Sequence, residues 1–120
     1  PGADAPAATT VVPVGIHVIA VYRPKPGKQA ELEAETVAHV PTLRALGLAT
    51  HTPATVLRAP DGTLLEHFEW VDQSAIDAAH EHPDVLAMWG RYGSCCDYGT
   101  LADLPNAAAM FPEFEHLGTY

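Results

Sequence analysis

The sequence lacks the features that would place it in a membrane or on a nucleic acid. It contains no uninterrupted run of about 18 apolar residues, which excludes a transmembrane helix within it. Basic residues are few, since six Lys and Arg stand against fifteen Asp and Glu and the formal net charge is -9. This charge has the wrong sign for binding a phosphate backbone or an anionic lipid surface. We therefore predict neither a nucleic acid nor a membrane as a partner.

The common motifs of cofactor and nucleophile chemistry are also missing. There is no Gly-rich phosphate loop, no Ser nucleophile elbow and no CxxC pair. These absences argue against nucleotide cofactors, hydrolase triads and thioredoxin chemistry. We predict a protein that works without a cofactor.

Cysteine is scarce, with Cys95 and Cys96 as the only two in the chain. Two cysteines are too few for the disulfide framework of a small secreted domain, and a disulfide between neighbours closes a strained ring. We predict reduced, partly buried thiols. A redox pair or a soft-metal site is the alternative.

The residues that are present suffice for one folded domain. Hydrophobic residues make up 48% of the 120 and charged residues 18%, so the chain is able to bury a core. An Ala-, Pro- and Thr-rich beginning predicts a flexible arm over residues 1–12, followed by one domain over residues 13–120. The sequence begins at Pro1 without a Met, and we expect a trimmed cytoplasmic protein rather than an exported one.

Three segments in the first two thirds of the chain have the pattern of β-strands. Residues 14–22 are rich in β-branched residues and largely apolar on both faces, so their sheet should be covered on both sides. Residues 50–59 and 63–71 are strand-like and are separated by a turn that contains Asp61 and Gly62. Asp-Gly between β-rich segments predicts a hairpin.

Helical periodicity appears between these strands and after them. Apolar residues recur every three or four positions after Lys28, and Pro41 should kink or divide the helix that they predict. Ser74, with an acid three residues later, has the spacing of a capping box and predicts the start of a second helix. Pro83 predicts the first turn of a third. We expect residues 114–117 to form a last strand.

The predicted order of elements defines a fold class. Strand, helix, strand, strand, helices, strand is the ferredoxin-like β-α-β-β-α-β arrangement, an α+β fold with an antiparallel sheet and helices on one face. Residues 93–112 are expected to be irregular or short-helical. The second apolar face of the central first strand would be exposed in a monomer, so we predict a homodimer whose two sheets pack face to face and close a barrel.

A short motif follows the third predicted strand. Its residues are Trp70, Asp72, Ala75, Ile76, His80, His82 and Val85. This pattern of a strand ending in Trp, a helix with Ala and His, and a second His before an apolar helix resembles the antibiotic biosynthesis monooxygenase family of the dimeric α+β barrel superfamily. The resemblance in element order extends over residues 14–117. It implies a dimeric barrel and a place among cofactor-independent oxygenases on quinols or polyketides, haem-degrading oxygenases, isomerases and cyclases.

Strand alternation predicts a candidate active site inside the expected barrel. If the even-numbered residues of the first strand face the helices, then His17, His67 and Glu69 point into the barrel from two neighbouring strands. A His beside a carboxylate supplies a base near neutral pH whose tautomer the acid fixes. We predict these three as catalytic residues and add His80 because of the family resemblance. The alternatives are hydrogen bonds across the dimer or solvated strand ends for the first three, and capping or packing for His80.

An apolar lining should surround these polar groups, as in other small-molecule sites. The predicted substrate-binding residues are Ile19, Val21, Leu65, Trp89, Tyr92, Phe114 and His116. Phe114 and His116 are included because the last strand is expected beside the first, and the aromatic residues belong to the core in the alternative interpretation. His116, the two strand histidines and Glu69 form an alternative ligand set for zinc. Their spacing matches no local motif, and we predict no metal.

Three functions from different classes are compatible with this pattern. The first is an oxidoreductase or isomerase, a cofactor-independent monooxygenase or isomerase acting on an aromatic, quinol or polyketide-like compound. The second is a non-catalytic dimer that binds a small hydrophobic or aromatic ligand in the same lumen. The third is a structural homodimer whose barrel is filled by its own side chains.

Overall fold

Five strands and three α-helices make up the described part of the chain. The structure is a computed structural model that describes residues 15–120, so the predictions for the arm and for the first residues of the domain lie outside it. In chain order the elements are β1 (Ile16–Pro24), α1 (Gln29–Ala45), β2 (Thr55–Arg58), β3 (Leu64–Trp70), α2 (Gln73–Ala79), α3 (Pro83–Cys95), β4 (Cys96–Gly99), a 3-10 turn (Leu101–Asp103) and β5 (Glu115–Thr119). No helix among these residues is long and apolar enough to cross a membrane.

The strands form one antiparallel sheet in the order β4-β1-β3-β2-β5. The pairing of β1 with β3 places Val18 opposite Phe68 and His17 opposite Glu69, so each strand presents alternate residues to the two faces. All three helices pack on the face that carries Val18 and Phe68. The result is a small α+β domain with an open sheet, compatible with the predicted ferredoxin-like fold.

The prediction for the last strand was wrong in its position. We expected residues 114–117 beside the first strand, but β5 pairs with β2 at the opposite edge of the sheet. The place beside β1 is taken by Cys96–Gly99, a segment predicted to be irregular, which follows α3 directly and sets Tyr98 opposite Tyr22. Four residues are too few to show a strand periodicity, so this pairing has no sequence signal.

The change in strand order sends residues 100–114 across the open face, the face of the sheet that carries no helix. β4 and β5 lie at opposite edges, and the segment between them has to span the sheet. Leu104 and Phe114 from this crossing segment pack with Val21 and Leu65 on the open face. The chain therefore covers one end of this face itself.

Pro41 does not divide the first helix. α1 continues through it to Ala45. Leu32 and Val40 before the proline and Leu43 after it are all buried against the sheet. This packing on both sides of Pro41 offsets the backbone hydrogen bond that proline removes.

The hairpin and the second helix are present with shifted boundaries. The hairpin turns at Gly62, whose φ of 94° lies in the left-handed region that glycine adopts without strain. The second helix is capped by Asp72 rather than Ser74, since the Asp72 carboxylate accepts the backbone N–H of Ala75 at 2.8 Å. Ser74 donates its hydroxyl to the same carboxylate. The capping-box interpretation therefore placed the start of the helix two residues too late.

Candidate functional site

The three catalytic residues predicted on the strands lie together on the open face. His17 Nε2 is 3.2 Å from Glu69 Oε2, and His17 Nδ1 is 3.0 Å from His67 Nε2. With both imidazoles neutral, Glu69 accepts the Nε2–H of His17, and His17 Nδ1 accepts the Nε2–H of His67. In this chain of hydrogen bonds from His67 to His17 to Glu69, the Nδ1 atom of His67 is the free basic nitrogen.

Glu69 is held in its ionised form by hydroxyl donors. The hydroxyls of Thr52 and Thr50 donate to its Oε1 at 2.7 and 2.8 Å. These hydrogen bonds lower the pKa of the Glu69 carboxyl. His17 is more than half exposed, so this cluster faces solvent in the single chain.

The apolar residues predicted around this cluster differ in their surroundings. Ile19 is 48% exposed, whereas Val21 and Leu65 are buried beneath the crossing segment. Phe114 reaches the open face as part of that segment, and its side chain helps to fill the space in which we expected a ligand. The end of the open face nearest to Val21 is therefore closed by the chain itself.

His116 does not join the other two histidines. It lies on β5, which β2 separates from β3, and its Nε2 is 3.0 Å from the Thr119 hydroxyl. Two strand spacings amount to about 10 Å, so the four-residue ligand set considered for zinc is not assembled. Over residues 15–120, no group of three or more His, Cys, Asp or Glu side chains is arranged to hold a metal ion.

A large apolar cavity, open to solvent, lies on the other face of the sheet, between the sheet and the helices. Its volume is about 490 Å³, within the range of small-molecule sites. It is lined by Val18, Ala20, Tyr22, His39, Phe68, Trp70, Ile76, His80, Trp89 and Tyr98. We call this space the helix-side cavity. It includes both tryptophans of the chain.

A buried His-Glu pair borders the helix-side cavity. His39 of α1 and Glu66 of β3 are both almost completely buried, and His39 Nδ1 is 2.8 Å from Glu66 Oε1. The indole N–H of Trp89 donates to His39 Nε2 at 3.3 Å. Since an indole nitrogen only donates, His39 Nε2 is unprotonated and the imidazole proton is on Nδ1, facing Glu66. Glu66 thus fixes the tautomer that directs a basic nitrogen toward Trp89 and the cavity.

The Glu66 carboxylate has a second donor and one unused oxygen. The Tyr22 hydroxyl donates to Oε1 at 2.7 Å. Burial, together with the negative charge of Glu66, holds the pKa of Tyr22 well above its usual value, so the phenol remains a donor. Glu66 Oε2 is buried and has no hydrogen-bond partner in the described part of the chain. Both donors to Glu66 therefore converge on Oε1, and none reaches Oε2.

The residues predicted on the helices fall into two groups. His80 and Trp89 line the helix-side cavity, not a barrel lumen, and their rings meet edge to face at 5.1 Å. His80 Nδ1 donates to the Ile76 carbonyl at 2.8 Å, which leaves its Nε2 free. Tyr92 is a core residue, fully buried against Tyr22, and does not line the cavity.

Cys95 and Cys96 are free and buried. Burial raises the pKa of both thiols, that of Cys96 to about 12. Neither is a reactive thiolate near neutral pH. Their place at the junction of α3 and β4 gives them a role in packing.

The sequence interpretation missed His39 and Glu66. His39 lies on the buried stripe of α1, between Thr36 and Leu43 at helical spacing. Glu66 lies on the helix-facing side of β3, among apolar neighbours. A titratable residue on a predicted buried face requires a partner, and two such residues on elements that pack together were the signal that could have identified the pair.

The chain matches no protein-family model, no curated protein and no solved structure. No relative therefore informs the chemistry of the cavity, which has to be inferred from its side chains.

Proposed function

We propose that this protein binds a small planar aromatic molecule in the helix-side cavity and that His39 removes a proton from it. The observation that carries this proposal is the His39 imidazole, whose Nδ1–H faces a fully buried carboxylate and whose Nε2 is unprotonated at the cavity wall. A carboxylate that fixes the tautomer of a neighbouring His is the arrangement of a general base. The hydrogen bond from the Trp89 indole to His39 Nε2 is long, at 3.3 Å. A ligand atom that takes the place of the Trp89 N–H lies at hydrogen-bond distance from this base.

Proton removal is the first step of two related reactions. A phenol or an activated carbon loses its proton to His39 Nε2, and the resulting imidazolium is stabilised by Glu66. In an isomerisation the same proton returns at another carbon. In a cofactor-independent oxygenation the carbanion left at a CH2 group adds to O₂ from solution and takes back the proton from His39, which gives a hydroperoxide. Loss of water from this hydroperoxide, with the second hydrogen of the same carbon, leaves a C=O group in the product.

The resemblance to the antibiotic biosynthesis monooxygenase family agrees with this site. Three of the motif residues, Trp70, Ile76 and His80, line the helix-side cavity. We propose membership of that family on this basis. His17, His67 and Glu69, on the other face, lie outside the proposed catalytic centre.

The test compares His39→Gln with His51→Gln, a change at an exposed histidine that does not line the cavity. Ligand binding is followed by the fluorescence of Trp70 and Trp89, and turnover by product analysis and O₂ uptake over a panel of quinols and polyketides. We expect His39→Gln to lower kcat by about 100-fold or more while the Kd changes little, since a general base contributes 10² to 10⁴. Unchanged turnover in His39→Gln would contradict the proposed base. Binding without turnover by the unmodified protein would show the non-catalytic ligand-binding alternative.

We also propose that a second copy of the chain covers the remaining open face. Ile19 is 48% exposed there, and Val71 beyond the end of β3 is 39% exposed. Large apolar side chains exposed on a sheet favour association. Light scattering at micromolar concentration is expected to give twice the chain mass of 12.8 kDa.

Two variants test which face associates. Ile19→Lys should give the single-chain mass of 12.8 kDa. Leu86→Lys, at an equally exposed position on the opposite side in α3, should leave the mass doubled. A single-chain mass for the unmodified protein would refute the dimer.

A further inference from the structure

No Lys or Arg side chain stands in the walls of the helix-side cavity. All six Lys and Arg residues lie within the described range, and none of them lines it. Arg91, on the same helix as Trp89, is bound to Glu35. Lys28 and Arg58 are likewise paired with acids, and Arg44 donates to backbone carbonyls. An anionic ligand would find no Lys or Arg as a counter-charge in this site.

An acidic side chain lies directly behind the cavity wall. Glu66 is fully buried, and its neighbour His39 accepts the indole N–H of Trp89 at Nε2. The field of a carboxylate is poorly screened in surroundings of such low dielectric constant. The Oε2 atom of Glu66 has no hydrogen-bond partner among the described residues.

Aromatic side chains make up half of the cavity lining. Tyr22, Phe68, Trp70, Trp89 and Tyr98 are five of the ten lining residues. Aromatic rings attract a cation above their faces, most strongly when the contact is desolvated, and Trp is the best of them. Tyr98 is 59% exposed, which places one ring of this set in contact with solvent.

From these three observations we infer that the helix-side cavity selects a planar aromatic cation over neutral and anionic molecules of the same shape. The chemical class is a protonated or N-alkylated heteroaromatic compound. The inference rests on the proposed function, because it assumes that this cavity is the ligand site. For the protonated compound, transfer of its N–H proton to His39 would leave a neutral product that the site holds less tightly, which favours release.

The test uses three ligands of nearly equal size: N-methylquinolinium, 1-methylnaphthalene and 1-naphthoate. Calorimetry gives the affinities, and quenching of Trp70 and Trp89 fluorescence confirms the location. We expect the cation to bind about tenfold more tightly than the neutral compound, and the anion more weakly than either. In Glu66→Gln the advantage of the cation should disappear while the affinity for 1-methylnaphthalene is kept. Glu113→Gln, an exposed position with the same charge change, should behave as the unmodified protein.

The outcomes separate this inference from the proposed function. Equal binding of the cation and the neutral compound overturns the charge preference and leaves the cavity as the ligand site. Failure of all three ligands to quench either tryptophan overturns both. If Glu66→Gln does not fold, the three affinities of the unmodified protein still decide the matter.

Discussion

Ala20→Phe is expected to abolish binding of planar aromatic ligands, whereas Ile19→Phe is expected to leave it unchanged. The two residues are neighbours on β1 and point to opposite faces of the sheet. Ala20 lines the helix-side cavity, so a phenyl ring there occupies the volume that a ligand would use. Ile19 lies on the open face, where the same side chain is added outside the cavity. We expect a loss of affinity of at least about 100-fold for Ala20→Phe.

The two variants also show whether a loss of binding comes from a loss of stability. Ala20 is only partly buried and borders open space, so the added ring needs no repacking of the core. Both variants should unfold within about 1 kcal/mol of the unmodified protein. Titration of the intrinsic tryptophan fluorescence measures binding, and urea unfolding measures stability. The reverse result, with binding lost only in Ile19→Phe, would move the ligand to the open face, where the sequence pattern had predicted it.

Much of the fold could be predicted because its signals are local. The alternation along β1 and β3 predicts which residues share a face, and the register confirms it by bringing His17 beside Glu69. The turn at Gly62 needs only the residues next to it. These elements are specified within a few residues of chain.

The strand order could not be predicted in the same way. β4 has four residues without a strand pattern, and its position depends on where α3 ends at Cys95. β5 has its partner about 60 residues away in β2. Pairing over such a distance depends on the packing of the whole domain and has no local signature.

The helix-side cavity could not be predicted for a related reason. Alternation indicates two faces of a sheet but not which face keeps a free volume. The crossing segment buries Val21 and Leu65, so the expected lumen is partly filled. The cavity arises instead between the sheet and the helices, where His39 from α1 meets Glu66 from β3. That meeting depends on how α1 is placed on the sheet, which periodicity alone does not determine.

Tyr92→Ala is expected to lower the free energy of unfolding by about 3–5 kcal/mol, the cost of removing a fully buried aromatic side chain. Tyr92 is 0% exposed and stacks on Tyr22 at 4.7 Å between ring centres. It also meets the His39 ring edge to face at 5.2 Å and donates its hydroxyl to Thr36. The truncation leaves a void beneath the His-Glu pair. A domain of this size has about 5–15 kcal/mol in total, so the loss should be evident as a shift of the urea midpoint.

Two further tyrosine variants test the contributions to stability of the Tyr92 hydroxyl and of the Tyr98 ring. Tyr92→Phe should cost only about 1 kcal/mol, because Thr36 keeps its own hydrogen bond to the Leu32 carbonyl. Tyr98→Ala, at a ring that is 59% exposed, should cost less than about 1 kcal/mol while weakening ligand binding. Equal costs for the Ala variants of Tyr92 and Tyr98 would contradict the assignment of Tyr92 to the core and Tyr98 to the cavity wall. The expected contrast would separate the side chain that supports His39 from the one that meets the ligand.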